Sequence, residues 1–240
     1  MLAVFVNCAA VIAGSILGLL LKSRFTEKYS ESIQTAAGVV TVVMGIQMAF
    51  KYQNVVYLAL SLIMGGLLGT LWDIDGKILA LGGWLERFVY RGKNSSETEK
   101  TSSSQNFAYA FLNASVLFCV GAMSIIGSFK AGVEKDYSII FTKSILDGFM
   151  AISFAAAMGG GTAFSALAIF VYQGALTLLS IFIQPYVTEE LLNELTGCGG
   201  CIIIMIGINL MGLKKIKTAN YLPALILEIL FVILVPLVVA

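Results

Sequence analysis

Three ionisable side chains stand inside long apolar runs of this 240-residue chain: Lys143, Asp147 and Glu228. Burying charge among such residues is costly, so each is a candidate for handling a proton, an ion or a solute. Lys143 and Asp147 are four residues apart, which puts them on one face of a helix where they can neutralise each other. Glu228 follows Tyr221 by about two helical turns and has no basic neighbour in sequence. Either acid could carry a coupling proton. The plainer use of Lys143 and Asp147 is an ion pair that locks one helix into a bundle.

Amides form the second set. Asn7, Gln47, Asn113, Gln173 and Asn209 all lie in apolar segments, where they can line a polar path or tie helices together. Glycine is abundant, at 24 residues. Gly14 and Gly18 form a GxxxG pattern, and Gly65, Gly66 and Gly69 continue a small-residue face, both suited to close helix packing. Gly159–Gly161 are expected at a turn, since three consecutive glycines weaken a continuous helix. Thr35 to Gly38, and Thr196, Gly197, Gly199 and Gly200, are expected to open two helices loosely. Free N–H groups and a positive dipole end would then face a substrate. A flexible helix start with small packing residues is the competing reading.

Histidine is absent, which removes Ser-His-Asp and Cys-His triads, haem ligation and most zinc sites. No metal site, cofactor fingerprint, phosphate-binding loop or nucleophile elbow is present in a credible setting. Cys8, Cys119, Cys198 and Cys201 all lie in apolar runs, where cysteine behaves as a small hydrophobe. Cys198 and Cys201 form a CxxC that thiol–disulfide chemistry could use, although no second pair is placed to communicate with it.

The elements that must position these residues follow from composition. Hydrophobic residues make up 58% and charged ones 12%, which a soluble domain could not cover with polar surface. The chain is expected to be a single all-α integral membrane domain over 1–240. It would be a polytopic transmembrane helix bundle of about eight spans near 2–21, 32–50, 55–72, 107–128, 138–158, 162–184, 195–213 and 221–239. No basic region precedes the first apolar run, which argues against a cleaved signal peptide. Residues 76–91 read as an interfacial amphipathic helix or a packed hairpin, with Leu81, Trp84, Leu85 and Phe88 on one face. A polar stretch to residue 106 is expected to be mobile, so 76–106 forms one cytoplasmic segment.

Lysine and arginine cluster in the loops after spans one, three and seven, which makes that side cytoplasmic and both termini external. The expected location is the cytoplasmic membrane. The partners would be the lipid bilayer and an unidentified small solute or ion, with a homo-oligomer compatible and nucleic acid not.

One long-range match organises the chain. Residues 26–47 (TEKYSESIQTAAGVVTVVMGIQ) and 188–209 (TEELLNELTGCGGCIIIMIGIN) align at a constant offset of 162. Thr26 meets Thr188, Gly38 meets Gly200, Gly45 meets Gly207 and Gln47 meets Asn209. The first loop is assigned to the cytoplasm and the second to the outside. Spans one to three and six to eight would then be an inverted-topology repeat, with halves of about 1–75 and 162–240.

The residues also resemble a known family. Residues 118–128 (FCVGAMSIIGS), Lys143-Ser-Ile-Leu-Asp-Gly148, Tyr172-Gln-Gly174 and Asn220-Tyr-Leu-Pro223 are similar to the YdfK-like bacterial membrane proteins, domain of unknown function family 554. Asn7, Gly14, Gly18 and the glycines of span two fit the same pattern, so the resemblance covers nearly the whole chain. It implies a multi-pass membrane protein of a bacterium or archaeon and implies no activity.

The leading expectation is a small-solute or ion transporter or channel with a site near the midplane. The alternative is a structural or regulatory membrane protein whose polar residues only hold helices together. A third reading is a thiol-redox enzyme using Cys198 and Cys201; otherwise the scarcity of ionisable groups speaks against enzymatic acid–base work.

Overall fold

Apolar runs of this length must satisfy their backbone N–H and C=O groups internally if they lie in lipid, and the helix does so within one segment. The computed structural model describes residues 1–22, 27–78, 80, 97–119, 122–183 and 187–239, and the described residues contain helices and no strand. In chain order the helices are α1 (Leu2–Lys22), α2 (Glu27–Ala49), α3 (Val55–Leu71), α4 (Glu97–Cys119), α5 (Ala122–Val133), α6 (Ser138–Met158), α7 (Gly161–Ile183), α8 (Glu189–Leu210) and α9 (Pro223–Val239). A short 3-10 turn, Thr218–Tyr221, leads into α9.

Four helices, α1, α6, α7 and α8, are long and apolar enough to cross a membrane alone. A fifth crossing is available if α4 and α5, whose axes bend by 61°, act as one broken span. Gln34–Ala49, Val55–Leu71 and Thr218–Leu234 are apolar but shorter. Each of the eight expected segments contains helix among the described residues, but length and composition alone support four or five of them as spans. The outer surface is apolar, with Phe149 68% and Phe182 74% exposed, which suits contact with lipid chains.

Several boundaries differ from the sequence reading. Helix α4 begins at Glu97, so the last ten residues of the expected mobile stretch are helical. A helix already nucleated by an apolar core extends at little cost into a polar flank. The interfacial helix expected at 76–91 falls almost wholly outside the described residues. Thr35 and Gly38 lie inside α2, and Thr196, Gly197, Gly199 and Gly200 lie inside α8, so neither group opens a helix. Helix α8 starts instead at Glu189, where the Thr188 side chain accepts the Leu191 N–H at 3.1 Å and two glutamates occupy the first turn. The turn at Gly159 is as expected: its φ of 102° suits glycine and ends α6 before α7 begins.

The glycines serve helix crossings. A Cβ on Gly14 would overlap the Gly148 carbonyl, and one on Gly18 the Ile152 carbonyl, so α1 and α6 pack backbone to backbone. Helices α2 and α8 cross at two matched contacts. A Cβ built on Gly38 would lie 3.0 Å from the Gly207 carbonyl oxygen, and one on Gly207 2.8 Å from that of Gly38. Gly45 and Gly200 stand in the same mutual relation, at 2.9 and 2.7 Å. Exchanging each residue for its repeat partner turns the Gly38–Gly207 contact into the Gly200–Gly45 contact. Helix α3 meets α9 where Gly65 faces Ala224, and meets the 3-10 turn where Gly69 faces Asn220.

This packing distinguishes Gly14, whose added Cβ would meet the Gly148 carbonyl, from Gly148, whose own would face Ala10. Gly14→Ala should destabilise the protein by about 1–3 kcal/mol, because a backbone carbonyl cannot move aside. Gly148→Ala, whose added Cβ would find its nearest neighbour at 3.4 Å, should be neutral or slightly stabilising through helix propensity. Thermal unfolding in detergent distinguishes the two; equal losses would contradict the crossing described.

Candidate functional site

Helix periodicity brings Lys143 and Asp147 to one face of α6, and α6 turns that face inward, leaving both buried. The Lys143 Nζ donates to Asp147 Oδ1 at 2.7 Å and to Oδ2 at 2.5 Å. Asn7 of α1 donates from Nδ2 to Asp147 Oδ2 and to Gln173 Oε1 of α7, both at 3.1 Å. Gln173 Nε2 donates to Ser124 Oγ of α5 at 3.4 Å, and Ser124 donates in turn to the Phe118 carbonyl of α4 at 3.1 Å. Donors and acceptors alternate through the whole chain of groups. Four of the sequence-derived candidates thus meet in one enclosed network, which ends where the path of the chain bends between α4 and α5.

A cavity of about 290 Å³ borders the network. Lys143, Asp147 and Ser124 of the network line it together with Gln47, Lys51 and Thr196. Four methionines, Met44, Met48, Met123 and Met150, supply flexible apolar wall. Gln47 therefore belongs with the network by location, although it is exposed and makes no hydrogen bond to it.

The remaining candidates lie elsewhere. Asn209, the repeat partner of Gln47, closes the turn after α8 by exchanging hydrogen bonds with Ile216, donating at 2.8 Å and accepting at 2.6 Å. Asn113 accepts from Thr218 at 3.3 Å and joins α4 to the 3-10 turn. Glu228 is fully buried, but the group it faces is not an amide from another span: it looks onto Ser61 and the carboxyl of Glu194. Cys198 and Cys201 are free thiols on α8, as are Cys8 and Cys119 elsewhere. Among the described residues no group of three or more acidic, cysteine or histidine side chains is arranged to hold a metal ion.

Two buried acids escaped the sequence reading. Glu194 was assigned to a loop because α8 was expected to start after it. Its signal was periodicity, since Leu191, Glu194, Cys198 and Ile202 share one buried helical face. Asp75, beyond the end of α3, is also buried, with its own N–H held by Asn220 Oδ1 at 2.9 Å. Burial pushes its carboxyl above the usual carboxylate range, against the pull of the Ala219 amide and the Lys217 ammonium.

A lipid-compatible, all-helical bundle with a charged network enclosed in its interior defines an integral membrane protein. The chain belongs to the family described as Protein of unknown function (DUF554), whose profile matches residues 2–233. It is 31% identical to the "Uncharacterized membrane protein YdfK" of Bacillus subtilis (strain 168) over 233 residues, covering 95% of this chain and 94% of that one. It is 28% identical to the "Uncharacterized protein YqgA" of Escherichia coli (strain K12) over 224 residues, 93% and 92% of the two chains. No solved structure matches it.

The ion pair gives a clear expectation. Lys143→Met or Asp147→Leu alone leaves an unpaired buried charge and should cost about 3–5 kcal/mol, whereas the double substitution should recover most of that loss. Unfolding of the three variants in detergent measures the coupling. Additive losses would mean that the pair is not the interaction holding either charge.

Proposed function

We propose that this protein is a transporter or channel for a small solute or ion in the bacterial cytoplasmic membrane, and that its site is the cavity beside Lys143 and Asp147. The observation that carries this reading is a coincidence of three features at one place. The bend between α4 and α5, the buried Asn7–Asp147–Gln173 network and the cavity all adjoin one another. Interrupted helices at a polar, enclosed site are the means by which many transporters hold ions and solutes within the bilayer.

The reading includes eight crossings, with the bent α4–α5 pair counted as one span and the three shorter apolar helices as spans that require local thinning of the bilayer. It also includes the inverted repeat. The reciprocal Gly38–Gly207 and Gly45–Gly200 contacts support that repeat, since a two-fold axis makes a contact between residues i and j recur as one between j and i. In this orientation Gln47 and Lys51 bring the cavity mouth to the external side, in agreement with the distribution of basic residues in the loops. Compartment reporters fused at Ser102 and at Ala240 should then read opposite sides of the membrane; the same side for both would remove the eight-crossing scheme.

Flux itself is tested by light-scattering swelling of proteoliposomes in a panel of amino acids, polyols, sugars and inorganic salts. At least one solute should enter faster than into protein-free vesicles, and Asp147→Asn, if folded, should slow that entry at least about tenfold, the rate equivalent of roughly 1.4 kcal/mol. Vesicles that exclude the whole panel as well as protein-free ones do would favour the structural reading, in which the network only ties α1, α5, α6 and α7 together.

A further inference from the structure

A second enclosed polar locus lies between α3, α8 and α9, separate from the cavity. Glu194 of α8 and Glu228 of α9 face each other there, and both are fully buried. Glu194 Oε1 accepts the backbone N–H groups of Gln53 at 3.1 Å and Asn54 at 2.6 Å, an arrangement that holds negative charge on that carboxyl. Glu194 Oε2 and both oxygens of Glu228 have no hydrogen-bond partner. The Ser61 hydroxyl, itself fully buried and without a partner, points to the same spot from α3.

Among the described residues no positive charge faces either acid. Helix α8 adds only the thiols of Cys198 and Cys201, and the link before α3 contributes Tyr52 beside the two backbone amides. None of the ion pairs among the described residues involves either glutamate. Two ionised carboxylates would therefore be adjacent, desolvated and uncompensated, a state that folded proteins avoid by binding a cation or a proton.

We propose that Glu194 and Glu228 form a proton-binding site, in which Glu228 carries the proton and donates it to Glu194 Oε2. The asymmetry of the donors decides which acid is charged: Glu194 receives two backbone N–H groups, and Glu228 has only the Ser61 hydroxyl beside it. Uptake transfers a proton from hydronium to a Glu228 oxygen and leaves water. Release breaks that O–H bond, returns the proton to water and leaves the electron pair on Glu228. The empty site then holds two like charges across the contact between α8 and α9, so its occupancy acts directly on how those helices pack.

Infrared spectroscopy of the protein in lipid nanodiscs tests this without any transport substrate. At neutral pH the wild type should show the carbonyl band of a protonated carboxylic acid that shifts on exchange into D2O and is lost in Glu228→Gln. Glu194→Gln keeps an oxygen for the Gln53 and Asn54 N–H groups, and there the Glu228 band should move or vanish, because its acceptor is no longer a carboxylate. Full persistence of the band in Glu228→Gln, or its absence from the wild type, would overturn the proposal. Loss of the wild-type band on adding sodium chloride at constant pH would overturn it in favour of a metal cation. If Glu228→Gln fails to fold, the Glu194→Gln spectrum decides, and an unchanged band frequency counts against the site.

Discussion

A lysine and an aspartate placed in the apolar interior of a helix bundle cannot both remain charged unless they are held together and their remaining hydrogen-bonding positions are filled. Lys143 and Asp147 meet the first demand within one helix, and Asp147 draws a further hydrogen bond from another. Asn7 fills an acceptor position on Asp147, Gln173 holds Asn7, and Ser124 links Gln173 to the end of α4. The rotation of α1, α6 and α7 about their axes is constrained by this one chain of groups, because turning α6 would expose charges to lipid and turning α1 or α7 would break the amide contacts. The same chain of groups joins α5 to the end of α4 through Ser124 and the Phe118 carbonyl, beside the cavity. Packing and candidate chemistry thus share the same residues.

Glycine supplies the second constraint. Between helices in lipid there is little hydrophobic drive, so association depends on close packing and on polar contacts. The Gly14 and Gly18 faces let α1 reach the backbone of α6, close enough for Asn7 to bond Asp147 across the contact. On the other side of the molecule, the matched Gly38–Gly207 and Gly45–Gly200 contacts bring α2 against α8. One consequence is that α8 is buried along most of its length, which takes Glu194 out of reach of water although it belongs to an acidic helix start.

Where local reasoning failed, it failed for a consistent physical reason. Glycine clusters weaken isolated helices, so Thr35–Gly38 and Thr196–Gly200 read as loosened starts. In the fold, Gly38 and Gly200 pack against the facing helix and Gly197 against Tyr52, and both helices continue through them. Gln47 and Asn209 align at the 162-residue offset yet have different settings, one at the cavity and one closing a turn with Ile216. Their settings differ because α3 starts soon after α2 through the Asn54 cap, whereas the turn and the 3-10 segment separate α8 from α9.

What the sequence determined by itself is what depends on short-range periodicity and on the solvent. Its apolar runs require helices, its charges require burial with a partner, and a four-residue spacing makes Lys143 and Asp147 that pair. The family resemblance was likewise legible from contiguous motifs. Only the tertiary structure decided which distant groups meet. Asn7 and Gln173 are 166 positions apart, and nothing local to either selects the other. Glu194 and Glu228 belong to helices that meet around Cys198 and Ala224, a contact that no local pattern beside either acid selects. A polar side chain's role in such a bundle follows from the crossing and rotation of its helix, and those are properties of the whole packing.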